Sequence, residues 1–131
     1  MTDETRAKRE WVYFAQVDGG ELIKIGTSRE PERRMDKLGT EVRRMGIGRR
    51  AMLLAIIPGG VGVERWMHAR FADRHIVGEW FEAGGLLADF LAVIGDFYAT
   101  RSETVAAVMR GREPPIFERR RAALALLGVP P

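Results

Sequence analysis

No cysteine occurs in the chain, which removes disulfides, zinc–thiolate centres and thiol nucleophiles from consideration. Histidine is nearly as scarce, with two in 131 residues. Any metal would be held by carboxylate, histidine or water, a ligand set that suits hard divalent cations. No apolar run approaches the roughly 18 residues of a membrane span, and the opening MTDETRAKRE has no apolar segment of the kind a signal or transit peptide carries. The expectation is a cytoplasmic chain with no membrane partner. Internal repeats, low-complexity tracts, a phosphate-loop glycine pattern and a Ser/His/Asp set are missing as well. What remains has the length of one ordinary domain, is 46% hydrophobic and 30% charged, and is expected to fold as one domain with a helical tail.

The net charge of +3 is modest, but it is unevenly distributed. Between positions 29 and 50 stand eight bases against four acids, and Arg119, Arg120 and Arg121 form a smaller cluster. Such local excess fits a polyanionic partner, and equally a solvated surface. Charge alone does not separate the two.

Residues 11–34, WVYFAQVDGGELIKIGTSREPERR, are the most informative stretch. Positions 11–17 alternate, with Trp11, Tyr13, Ala15 and Val17 on one face and Val12, Phe14 and Gln16 on the other. Asp18-Gly19-Gly20 supplies a tight turn, and 21–26 returns as the second strand of a hairpin. A loop at Gly19-Gly20 pairs Ala15 with Lys24, whereas one at Asp18-Gly19 pairs Tyr13 with Lys24. Both put Tyr13 and Lys24 on the same face, because the two registers differ by an even shift. Thr27-Ser28 then caps a helix with Pro31 in its first turn, running to about position 38. Pro31, Met35 and Leu38 form its buried stripe. Arg34 lies about 40° from Leu38 and so borders the core, while Arg33 faces water. A border arginine needs an anionic partner, either an internal carboxylate or a phosphate.

Residues 39–50 mix glycines with four arginines and read as a basic loop able to follow a sugar-phosphate backbone, although any mobile surface loop has the same composition. Residues 51–57, AMLLAII, read as a strand buried on both faces. Residues 61–74 have helical period, with Val63, Trp66, Met67 and Phe71 on one arc and Glu64, His68 and His75 along its border. Glu64 can be a metal ligand, a partner of Arg34, or only the polar edge of a helix. His68 can share a metal with it or simply pack there. Residues 78–81 read as a short strand or extended turn, 85–99 as one amphipathic helix, and 100–110 and 116–127 as two more.

Taken together these residues resemble the GIY-YIG endonuclease family, in the compact branch of small phage and bacterial proteins. Val12-Tyr13 is similar to the end of the first signature triplet, Lys24-Ile25-Gly26 to the second, and Pro31-Glu32-Arg33-Arg34 to the helix that follows. Ile57-Pro58-Gly59, Glu64 with His68 and Phe71, and Gly78-Glu79-Trp80-Phe81 match the later pattern. The resemblance covers about positions 11 to 82. Trp11 replaces the first glycine, Lys24 replaces a tyrosine, and Leu38 stands where some relatives carry histidine.

The resemblance implies that Tyr13 is the catalytic tyrosine, that Arg34 contacts the transferring phosphate, and that Glu64 holds Mg²⁺ or Mn²⁺, with Lys24 and His68 completing the catalytic set. Lys24 on the same face as Tyr13 is expected to favour its phenolate. Ser28, Arg33, Arg43, Arg44, Arg49 and Arg50 are expected to bind the nucleic acid. The expected fold is α+β: a small antiparallel sheet, hairpin plus central strand, flanked by helices and followed by a C-terminal helical extension. It divides into an arm at 1–10, a nuclease core at 11–82 and the extension at 83–131, which would pack on the core or form a homodimer. The expected function is metal-dependent hydrolysis of DNA. The rivals are a module of the same fold that binds nucleic acid without cutting it and, behind that, a structural interaction protein.

Overall fold

The computed structural model describes residues 9–95 and 97–128. It is an α+β protein with a five-stranded antiparallel sheet between two sets of helices. Strands β1 (Trp11–Val17) and β2 (Leu22–Ser28) form the hairpin. Its register pairs Ala15 with Lys24 and Tyr13 with Gly26, so the two-residue loop is Gly19-Gly20, whose φ angles of 106° and 90° only glycine adopts freely. Strand β3 (Ala51–Pro58) flanks β1, while β5 (Trp80–Glu82) and then β4 (His75–Val77) extend the β2 side. Most of the expected N-terminal arm, and the prolines expected to stop the last helix, lie outside the described residues.

The alternation of the hairpin builds two cores. Val12, Phe14, Ile23 and Ile25 face helices α2 (Val61–Arg70), α3 (Gly85–Ile94) and α5 (Pro115–Leu126), where Met67, Phe71, Phe90 and Ile116 meet them. Tyr13, Ala15 and Val17 face helix α1 (Pro31–Met45), through Leu38 and Val42, and helix α4 (Phe97–Met109), through Phe97. The sheet is thus apolar on both sides, except where Tyr13 and Lys24 break the pattern on the α1 face.

Several elements depart from expectation. Helix α1 continues through Gly39 to Met45 and ends at Gly46, whose φ is 73°. Val42 extends the stripe of Pro31, Met35 and Leu38 at helical spacing, and its burial outweighs the intrinsic cost of a helical glycine. Leu38 is fully buried, and truncating it to alanine costs about 2–5 kcal/mol. Strand β3 is an edge strand, buried at Ala55, Ile56 and Ile57 but not at its start, where Met52 is 55% exposed. Trp66, expected on the buried arc, is 36% exposed, and α2 ends at Arg70, followed by a 3-10 turn (Ala72–Arg74). The single helix expected over 85–99 is two, broken at Gly95. Among the described residues, no helix is long and apolar enough to cross a membrane.

Candidate functional site

Tyr13 is 1% exposed, at the centre of β1. Opposite it, Gly26 has no side chain, and the phenol occupies that space: a Cβ at position 26 would lie 2.6 Å from the hydroxyl. Burial pushes the phenol up from its ordinary value to about 12; the Arg34 charge pulls it down, and Glu79, Glu41 and Glu64 push it up in turn. Four charged groups from three separate regions of the chain therefore act on one hydroxyl. Residues 11–34 foreshadow its Tyr13 and Arg34, and three carboxylates from outside that stretch join them.

Both cations of the cluster are engaged. Arg34 Nη2 donates to Glu41 Oε1 at 3.1 Å, seven residues on along the same face of α1. Arg34 Nη1 is buried with no hydrogen-bond partner among the described residues, so part of the guanidinium fork remains unpaired. Lys24 Nζ lies 3.2 Å from Glu79 Oε2, 3.7 Å from Glu41 Oε2 and 5.5 Å from the Trp80 ring centre. The expected action of Lys24 on Tyr13 gives way to a different one: Lys24 balances the two carboxylates, and the charge that draws the phenol down is that of Arg34. The partner of Arg34 is likewise Glu41, not Glu64.

Glu64 enters from α2 beside the end of β2. Strand β5 pairs with β2 from Leu22 to Lys24, and the Ile25 amide still donates to Glu79 O at 3.0 Å. The ladder ends there, and farther along β2 the Thr27 side chain hydrogen-bonds the Glu64 carboxyl. Its carboxyl is pushed up by burial first, then by hydrogen-bonding contact with the Glu79 carboxyl and by that group's charge; His68 and the Thr27 hydroxyl act in the opposite direction. His68 Nε2 donates to Ile25 O at 2.8 Å, which fixes the tautomer, and lies 3.5 Å from Glu64 Oε1. His68 thus anchors α2 to β2 and orients Glu64. Two carboxylates in contact favour a shared proton or a cation, and a weakly held divalent ion that keeps its waters fits this donor chemistry. Among the described residues, no three His, Asp or Glu side chains gather to hold a metal by themselves.

The other expected residues divide into two groups. Ser28 and Arg33 line a groove that also contains Arg34, Arg29 and Lys37, and Ser28 Oγ accepts from the Glu30 amide at 3.0 Å. Arg43 and Arg44 stand in the last turn of α1, not in a loop. Arg43 donates to Arg49 O at 2.9 Å, and Asp18 Oδ1 accepts from the amides of Arg49 and Arg50 at 2.8 and 3.0 Å. Those two amides hold the Asp18 carboxyl below its usual range. The basic segment is therefore tied down at both ends. His75, expected near Glu64, lies in β4, exposed, with its ring edge against Phe81.

Glu41 and Glu79 were absent from the expected site. Glu41 becomes visible only once α1 is continued through Gly39. Glu79 is placed by the pairing of β5 with β2, which no local pattern announces.

Fold and cluster define an α+β protein with a partly buried mixed-charge site where an antiparallel sheet meets its flanking helices. The chain belongs to the T5orf172 domain family, which matches residues 10–98 and so includes every member of the cluster. Neither the curated proteins nor the solved structures give a match.

Proposed function

We propose that the chain is a metal-dependent endonuclease of the GIY-YIG type, hydrolysing phosphodiester bonds of DNA. The observation that supports this most is that the charges of Arg34 and Glu64 both act on the Tyr13 phenol, while Arg34 Nη1 is buried with no hydrogen-bond partner among the described residues. A phosphate oxygen is the partner that nitrogen requires. In this proposal Tyr13 takes the proton of the attacking water, and Arg34 neutralises charge growing on the phosphate. Glu41 orients Arg34, and Glu79 and Lys24 fix the charge balance around the phenol. Glu64 would hold Mg²⁺ or Mn²⁺, which when bound supplies charge neutralisation at the carboxylates and at the departing 3′ oxygen. His68 keeps Glu64 in place.

One observation favours the rival module that binds without cutting. A phenol at about 12 is a reluctant proton acceptor near neutral pH. The two are separated by incubating the protein with supercoiled plasmid and with single-stranded DNA in Mg²⁺ or Mn²⁺, beside Tyr13→Phe, Arg34→Ala and Glu64→Ala. Cleavage by the wild type, lost in all three variants, is expected. DNA binding with no cleavage on either substrate establishes the module instead, and full activity of Glu64→Ala removes the metal assignment.

A further inference from the structure

A second cleft opens beside the site, between α1 and α4. It encloses about 460 Å³ and is lined by Trp11, Arg29, Arg33, Ile56, Phe97 and Arg101, with Thr104 and Val105 farther out along α4. That volume lies within the range of about 300–1,000 Å³ typical of small-molecule sites. Trp11 shares the face of Tyr13 two residues away, and Ile56 is the β3 neighbour of Tyr13. Arg29, Glu30 and Arg33 belong both to this cleft and to the groove that holds Arg34. The cleft at Trp11 therefore adjoins the groove at Arg34.

The lining has two chemical parts. Trp11, only partly buried, provides aromatic surface, and the buried Phe97 forms the floor, with the Arg101 guanidinium 5.9 Å from its ring centre. Arg29, Arg33 and Arg101 outnumber Glu30 and Glu32. Arg33 pairs with Glu30 at 3.6 Å, Arg101 pairs with Glu32 across the cleft, and Arg29 has no ion-pair partner among the described residues. An aromatic face beside arginines at the end of a phosphate-sized groove matches a nucleotide: a base to stack and a backbone phosphate to neutralise. An apolar peptide or a lipid chain would leave Arg29 unmatched and bring two ion pairs against apolar surface.

We propose that this cleft is a nucleoside subsite, in which Trp11 stacks on the base of a nucleotide flanking the phosphate held by Arg34, and α4 closes over it with Arg101. The subsite rests on the nucleic-acid reading of the Arg34 site, but not on cleavage. It gives α4 a part in substrate binding, although Arg101, Thr104 and Val105 lie beyond the segment the family covers.

The test is binding in EDTA, where no metal-dependent turnover intervenes. A fluorescent oligothymidylate and its abasic counterpart of equal length are titrated against the wild type, Trp11→Leu and Val105→Glu. The latter puts a carboxylate on an exposed position of the α4 wall and spares the core. Thermal melting checks that each variant folds. The wild type should prefer the intact strand roughly tenfold, the usual scale of one base stacked on an aromatic ring. Trp11→Leu should abolish that preference, and Val105→Glu should weaken both strands. Equal affinity of wild type and Trp11→Leu for the intact strand overturns the subsite, as does a wild type indifferent to the loss of bases. If the wild type cuts DNA while Trp11→Leu binds normally, the nuclease stands and the subsite falls. If Trp11 distinguishes the two strands yet no DNA is cut, the subsite stands alone.

Discussion

The Tyr13 phenol rests directly on the backbone of Gly26, so that a Cβ there would lie 2.6 Å from the hydroxyl and 2.7 Å from Cζ. Because Tyr13 is fully enclosed, the ring has no free rotamer into which to retreat. Gly26→Ala should therefore displace the phenol while leaving the hairpin paired. Overpacking of this kind costs about 1–3 kcal/mol. A reactive group moved by about 1 Å loses on the order of a hundredfold in rate. Denaturant melts and plasmid cleavage measured on the same preparation check both. A variant with full activity would mean that the position of the hydroxyl is irrelevant to the chemistry.

Much of this arrangement is legible in the sequence because it follows from short-range geometry. The hairpin, its turn glycines and the shared face of Tyr13 and Lys24 depend only on a period of two. The border position of Arg34 and of Glu64 depends only on a period of 3.6. The burial of Val42 lies beyond such rules, since Gly39 reads locally as a stop and only the sheet face behind it carries α1 onward. Glu79 escapes for a different reason: its place depends on a non-local strand pairing, that of β5 with β2. The double-sided burial expected of β3 fails similarly, because an apolar run does not reveal whether its strand is central or at an edge.

Glu41 stands where an incoming phosphate must compete, holding Arg34 at 3.1 Å and Lys24 at 3.7 Å. Glu41→Gln should raise DNA affinity severalfold at low salt and steepen the dependence of log affinity on log salt by about one ion, as expected when one more cation becomes free to meet phosphate. Its stability should change by less than about 1 kcal/mol, because the Glu41 side chain is 41% exposed and its ion pairs are screened. Fluorescence anisotropy across a salt series measures the effect. An unchanged slope would mean that neither cation reaches DNA.

With Tyr13 at about 12, only about one molecule in ten thousand carries a phenolate at pH 8. If the phenolate takes the proton, the single-turnover cleavage rate at saturating metal should climb about tenfold per pH unit through the neutral and mildly alkaline range. Tyr13→Phe should flatten the profile as well as lower it. Lys24→Met should keep the same slope, because Lys24 is neutralised by Glu79 and Glu41. A wild-type plateau below pH 8 would show that another group with a lower pKa accepts the proton.

Glu64 links the site to folding stability. Its carboxyl is raised above the ordinary value of 4.5, so between those two values the folded chain holds a proton that the unfolded chain has released. Stability must then fall as pH rises through that window, and at neutral pH the ionised group, pressed against Glu79, is a net liability. Glu64→Gln removes the liability. The variant should melt higher than the wild type at neutral pH, and the gap should narrow toward acid, where Glu64 is protonated in both states. A divalent cation should produce the converse pattern. Bound at Glu64 in a hundredfold excess over its dissociation constant, Mg²⁺ or Mn²⁺ stabilises the folded wild type by about 2.7 kcal/mol, while the glutamine variant gains much less. Calorimetry at acid and neutral pH, with and without the cation, measures both effects. A neutral-pH melting temperature that the substitution leaves unchanged would mean that neither burial nor the Glu79 carboxyl penalises ionised Glu64 in solution, and equal stabilisation of both proteins by the cation would move the metal elsewhere.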